Sequence, residues 1–99
     1  MLDFYIIDDD QTMPRYPEEL GLQFVGGIDY GTFKNLQSKG ILDKGFDYYS
    51  DFRLDTVLLK QIQENILQKE LQTDTDVIKL LQLFNIANKK NSGLMAFGD

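Results

Sequence analysis

Two aspartates and a threonine at alternate positions, Asp8, Asp10 and Thr12, follow an apolar run near the start of the chain. Carboxylates placed directly after a strand supply the groups that phosphoryl transfer needs. One attacks phosphorus, another moves a proton, and a bound magnesium ion neutralises the developing charge. The spacing therefore indicates a candidate magnesium-dependent phosphoryl-transfer site at the end of the first strand.

The run D-x-D-x-T after a strand resembles the first motif of the haloacid-dehalogenase-like phosphatases. The resemblance implies that Asp8 is the nucleophile and Asp10 is the acid/base. That family needs a doubly wound parallel sheet of several βα units, and the pattern of this chain does not supply one. We favour the alternative in which Asp8, Asp9 and Asp10 form a strand end, without a metal, whose charges face water and discourage edge pairing.

A second candidate surface lies in residues 46–53, FDYYSDFR, where aromatic and acidic residues alternate. If this segment is a half-buried edge, its side chains support the core. If it is a contact patch, tyrosines supply amphipathic area and aspartates receive Lys or Arg side chains from a basic partner. The residues that we predict for a partner surface are Asp8, Asp9, Asp10, Asp47, Tyr48, Tyr49 and Asp51.

The third predicted helix has apolar residues around more than half of its circumference, which is typical of a central helix buried by two neighbours. Ile86 falls on the polar side of this helix. If Leu83 joins it at the surface, the two side chains form a patch for homo-oligomerisation.

Local patterns predict the elements that must position these residues. Strands are expected at 3–7 and 22–25, the second ended by the Gly26-Gly27 pair, and helices at 30–39, from 55 to about 71, and 76–90. Residues 41–53 are consistent with a strand or a packed loop, and 94–97 with a final strand or a docked tail. The chain is therefore expected to be one small α+β domain over residues 1–99, with a short, mostly antiparallel sheet and about three helices packed on one face.

The composition excludes several classes of site. Cysteine and histidine are absent, so thiol nucleophiles, thiolate metal sites and Ser-His or Cys-His catalysis are ruled out. A net charge of -6 disfavours a nucleic-acid partner. The N-terminus lacks the pattern of a signal peptide, and no apolar run approaches the length of a membrane span, so we expect a cytoplasmic protein with no membrane contact and no cofactor.

The charge is unevenly spread along the chain. Up to Leu54 the balance of acidic and basic residues is -5, whereas from Asp55 onward it is -1. Ten of the twelve aromatic residues also precede residue 53. The first half is thus both acidic and aromatic, which suits a basic protein partner.

The small, acidic chain without Cys or His, with FDYYSDFRL before a paired-helix tail, resembles the uncharacterised immunity-type proteins of bacterial polymorphic toxin systems. The resemblance implies a cytoplasmic protein that binds and blocks a cognate toxin, and it transfers no functional residue. Our first hypothesis is a non-enzymatic module that binds a basic protein. A phosphoryl-transfer fragment using Asp8 and Asp10 and a structural or oligomerising module are the alternatives.

Overall fold

The computed structural model of the protein describes residues 1–98, apart from the side chain of Pro17, and shows a four-stranded sheet with three α-helices. The strands are β1 (Leu2–Ile7), β2 (Gln23–Ile28), β3 (Phe52–Leu54) and β4 (Gly93–Phe97). The helices are α1 (Tyr30–Ser38), α2 (Thr56–Gln68) and α3 (Thr75–Lys89), and a short 3₁₀ turn covers Pro17–Glu19. The strand order is β2-β1-β4-β3 and every pair is antiparallel, so the predicted α+β class is confirmed.

The last strand occupies an interior position in the sheet. β4 pairs with β1 on one side, from Ile7 opposite Gly93 to Asp3 opposite Phe97, and with β3 on the other. All five residues of β4 are buried, as its apolar sequence requires. Residues 94–97 are therefore a central strand, and residues 41–51 are a packed loop that leads into the short edge strand β3.

The prediction that Gly26-Gly27 ends the second strand is wrong, because β2 runs through this pair to Ile28. The register shifts opposite Phe4 and Tyr5, and Gly26 has a φ of 152°. A Cβ atom placed on Gly26 would lie 2.7 Å from a methyl group of Leu83 on α3. The glycine is thus needed for the close approach of a helix, and the strand continues past it.

Local signals locate the start of each helix and the end of α1 to within one residue, whereas α2 ends at Gln68, before the expected end near Leu71. Asp29 accepts a hydrogen bond from the Thr32 N–H (2.8 Å), and Asp55 accepts one from the Leu58 N–H (2.8 Å), so each aspartate caps its helix. Gly40, just beyond α1, has a φ of 72°, which residues with side chains rarely adopt. None of the helices within residues 1–98 combines the length and the hydrophobicity that crossing a bilayer requires.

The main core lies between the sheet and the helices. Side chains from one face of the sheet pack with the inner faces of α1, α2 and α3 in one cluster, which includes the fully buried Phe4, Phe33 and Phe84. The helices therefore cover one face, as expected. The opposite face has a smaller cluster in which Tyr5 and Leu22 pack against the buried side chains of Ile7, Met95 and Phe97.

Candidate functional site

The acidic run at the end of β1 forms a turn that is tied to the edge strand. The Gln11 N–H donates to the Asp8 carbonyl oxygen (3.0 Å), and the Asp8 N–H donates to Oε1 of Gln11 (3.0 Å). The guanidinium of Arg53 on β3 donates to the carbonyl oxygens of Asp8 and Gln11, the second at 2.6 Å. The turn is therefore held by hydrogen bonds to its backbone N–H and carbonyl groups, and these bonds do not use the carboxylates.

Two carboxylates of this run also have partners within the chain. The Ser92 hydroxyl donates to Oδ1 of Asp8 at 2.6 Å. The Thr56 N–H donates to Oδ1 of Asp9 at 3.1 Å, and the Thr56 hydroxyl donates to Oδ2. Asp10 is exposed and makes no hydrogen bond or ion pair to any residue in the described range. Over residues 1–98, no three acidic side chains come together as they would around a metal ion.

These contacts predict an unusual titration for Asp9. Hydrogen bonds from the Thr56 side chain, with the Thr56 N–H and the charge of Arg53, hold the pKa of Asp9 below its ordinary value. The stabilisation is present above the unfolded pKa of about 4 and is lost as the pH falls through the folded pKa. In Thr56→Ala we expect the Asp9 pKa to rise and the loss of stability at acid pH to shrink, as measured by NMR titration and by urea unfolding between neutral and acid pH.

Thr75→Ala is the matched control, because Thr75 begins α3 as Thr56 begins α2, and its hydroxyl has no partner in the described part of the chain. The Asp9 pKa should be unchanged in that variant. An Asp9 titration that is the same in wild type and Thr56→Ala would contradict the assignment.

The residues predicted at 47–51 lie at the opposite end of the sheet. Oδ1 of Asp47 accepts the Tyr49 N–H (3.0 Å) in a tight turn, and Oδ1 of Asp51 accepts the N–H of Gly98, just after β4 (3.1 Å). Asp8 is bound instead to Ser92, just before β4. At about 3.3 Å per residue, the two acidic groups lie roughly 20 Å apart along that strand. The seven predicted residues therefore do not form one surface.

Tyr48 cannot belong to a partner surface, because only 7% of it is exposed. Its ring makes an edge contact with the Phe33 ring in the core, at 5.6 Å between centroids. Most of this segment is loop, yet the aromatic side chains of Phe46, Tyr48 and Phe52 are partly or fully buried and the residues between them are exposed. Tyr49, by contrast, is 60% exposed, so the loop buries one tyrosine and leaves the next at the surface.

Tyr49 has an exposed neighbour that the sequence did not indicate. The Tyr30 ring, at the start of α1, lies 6.2 Å from the Tyr49 ring with 30° between their planes, and it is 47% exposed. The ammonium of Lys34 lies 5.5 Å from the centre of the Tyr30 ring. The two tyrosines form an aromatic surface beside the turn of Asp47.

A polar groove of about 390 Å³ opens at the same end of the sheet, on the face that the helices leave uncovered. Gly98 in its wall lies against the backbone of Tyr49 and Ser50. Three carboxylates contribute to it, from Asp3 on β1, Glu18 in the 3₁₀ turn and Asp51 before β3. The other lining residues are Tyr5, Arg15, Tyr16, Phe97 and Gly98. We call the groove together with Tyr30, Tyr49 and Asp47 the acidic end of the protein.

The negative charge of the groove affects the pKa of Tyr5. Burial raises the pKa of its phenol, and the carboxylates of Asp3 and Glu18 raise it further, because an anion would form beside existing negative charge. Neither of these carboxylates has a hydrogen bond or an ion pair to another residue in the described range. Arg15 stands at the rim, with its Nε 3.5 Å from the carboxylate of Glu19 and its side chain 85% exposed. The groove therefore presents negative charge that the chain does not neutralise.

Of the predicted surface residues, Asp47, Tyr49 and Asp51 belong to the acidic end, and Asp8, Asp9 and Asp10 do not. Asp3, Tyr5, Tyr16, Glu18 and Tyr30 were not among the predicted surface residues. For Asp3 and Tyr5 a signal existed, because alternate residues of a strand share a face. For the others no local pattern indicates that separate turns meet.

The oligomer patch proposed on α3 is not formed. Leu83 is only 6% exposed and packs over Gly26 of β2, whereas Ile86 is partly exposed. Apolar residues cover more than half of the circumference of α3 because this helix contacts both the sheet and its helical neighbours. Leu83 lies on the side that faces the sheet.

Comparisons with known proteins found no match: no family model, no curated protein and no solved structure resembles this chain significantly.

Proposed function

We propose that this protein is a non-enzymatic binding module that offers its acidic end to a basic protein partner, as a toxin-neutralising, immunity-type protein of the cytoplasm would. The observation that carries the proposal is the groove that Asp3, Glu18 and Asp51 line together with the tyrosines at positions 5 and 16. Lys or Arg side chains of a partner would bind carboxylates there, and those of Asp3 and Glu18 have no counterion within residues 1–98.

The two parts of the acidic end would contribute differently to binding. Carboxylates accelerate encounter with a cationic partner and select against acidic ones, and this contribution weakens as salt increases. The exposed rings of Tyr30 and Tyr49 supply amphipathic area at low entropic cost, which is typical of residues that dominate binding energy. The complex would therefore form quickly through charge and persist through the tyrosines.

The phosphoryl-transfer alternative has less support from the contacts. The carboxylate that would attack phosphorus, that of Asp8, accepts a hydrogen bond from Ser92 at the start of a central strand. The polar groove of about 390 Å³ lies at the other end of the sheet.

An oligolysine peptide tests the proposal by NMR titration at low salt. We expect amide shifts at residues around the groove, including Asp3, Tyr5 and Gly98, and little change at residues 8–10. The double variant Asp3→Asn/Glu18→Gln should bind the peptide about tenfold more weakly, since two partly exposed charge pairs are lost. Neither side chain has a hydrogen-bond or ion-pair partner among the residues that the structure describes, so the fold should be retained.

The control is Asp10→Asn/Glu64→Gln, which changes the net charge by the same amount at exposed positions outside the acidic end. It should bind the peptide almost as well as the wild type. Equal weakening in both double variants would show that only net charge matters and would exclude a specific surface. An affinity that does not respond to salt would exclude it as well.

A further inference from the structure

We propose that the groove between the loop after α1 and the first half of α2 is a second binding site, which takes a small organic amine with an apolar body. The groove measures about 480 Å³. Its apolar floor is formed by Ile41, Phe46, Leu58 and Ile62. It lies outside the acidic end, and no lining residue is shared between the two sites.

The loop wall of this groove is held in place from the core. The buried side chain of Gln37 on α1 donates through its amide nitrogen to the carbonyl oxygens of Asp43 (3.0 Å) and Phe46 (2.9 Å). The Phe46 N–H donates to the Asp43 carbonyl oxygen (3.1 Å), and the Phe46 ring stacks on the Phe52 ring at 4.4 Å. The groove therefore exists before a ligand arrives, which reduces the entropic cost of binding.

The polar rim favours a donor over an acceptor. The Asn65 amide nitrogen donates to the Gly40 carbonyl oxygen (2.9 Å), which leaves the Asn65 Oδ1 atom for a ligand. Oδ1 of Asp43 accepts the Gly45 N–H (2.6 Å), which leaves Oδ2. Both remaining atoms accept hydrogen bonds, so a ligand that donates would be matched at the rim.

The charge at the rim selects a cation. Asp43 is the only charged residue among those that line the groove. The nearby ammonium of Lys69, beside Gly40, donates to the Lys39 carbonyl oxygen (3.2 Å). Its neighbour Lys44 lines a different hollow, together with Lys34 and Gln37. A ligand therefore meets one carboxylate above an apolar floor, and the complementary molecule is an aliphatic or aromatic body with an ammonium head.

Three probes with one apolar body test this site: phenylbutylamine, phenylbutanol and phenylbutyrate. We expect the amine to shift the amide signals of Gly45, Leu58 and Asn65 in NMR titration, and to bind about two- to fivefold more tightly than the alcohol, which is the range for one exposed charge pair. The carboxylate should bind more weakly than the alcohol.

Asp43→Asn keeps an acceptor for the Gly45 N–H and removes the charge, so the amine should lose its advantage over the alcohol. The control Glu64→Gln removes a charge from an exposed position of α2 outside the groove, and the preference should survive there. Gln61→Trp, at an exposed lining position, should block all three probes. The proposal is overturned if the three probes bind equally, if the shifts fall elsewhere, or if Glu64→Gln abolishes the preference as Asp43→Asn does.

Discussion

Replacing Phe33 with alanine is expected to lower the free energy of unfolding by about 3–5 kcal/mol, a large share of what a domain of this size possesses. Phe33 is fully buried, and its ring lies 5.6 Å from that of Tyr48 and 6.4 Å from that of Phe52. Truncation leaves a cavity beneath the loop that carries Tyr49 and Asp51. Urea unfolding followed by circular dichroism measures the change, and a loss below about 1 kcal/mol would contradict this assignment of the core.

Tyr49→Ala is the informative counterpart, because it removes an aromatic ring of similar size from the surface. Tyr49 is 60% exposed, so stability should change by no more than about 0.5 kcal/mol. Affinity for a basic peptide should nevertheless fall, since the ring belongs to the proposed binding surface. Tyr48→Ala should resemble Phe33→Ala in direction, because Tyr48 is buried. A Tyr49 variant as unstable as the Phe33 variant would mean that the ring is part of the core.

Replacing Gly93 with alanine is expected to cost about 1–3 kcal/mol through crowding at the centre of the sheet. A Cβ atom at this position would lie 2.5 Å from the Leu54 carbonyl oxygen and 3.0 Å from Cα of Asp55, and both are backbone atoms that cannot rotate away. β4 would have to shift away from the backbone around Leu54 and Asp55. Because Ser92 precedes Gly93 and holds Asp8, we also expect NMR shifts in the turn at residues 8–11.

The same chemical change at Gly31 provides the control. A Cβ atom there would have only Asp29 within reach, at an ordinary contact distance of 3.7 Å, and the position is in the first turn of α1. Gly31→Ala should therefore stabilise the protein by up to about 1 kcal/mol, because alanine loses less backbone entropy in a helix. Equal effects at the two positions would contradict the close approach at Gly93.

The candidate site was predictable only in part, and the reason differs between residues. Asp47, Tyr49 and Asp51 were found because a run of aromatic and acidic residues in a loop marks a surface. Asp8 and Asp9 also lie in an acidic run, but their carboxylates accept hydrogen bonds from Ser92 and Thr56 within the chain. Asp3 and Glu18 look unremarkable in the sequence, and they line the groove because β1 and the 3₁₀ turn meet there.

Features that depend on neighbouring residues could be predicted from the sequence. The caps at Asp29 and Asp55 and the end of α1 at Gly40 were predictable because a side chain three positions away, or one backbone angle, decides them. The α+β class followed from the order of such segments.

Features that depend on pairing between distant parts of the chain could not be predicted in this way. The central place of β4 and the passage of β2 through Gly26-Gly27 arise from contacts with β1 and α3, which are remote in the sequence. The antiparallel course of β4 between Ser92 and Gly98 also separates Asp8 from Asp51 and brings Asp51 to Asp3. The two ends of β4 lie about 16 Å apart at about 3.3 Å per residue, and which acidic groups share an end is set by strand order, which no local pattern encodes.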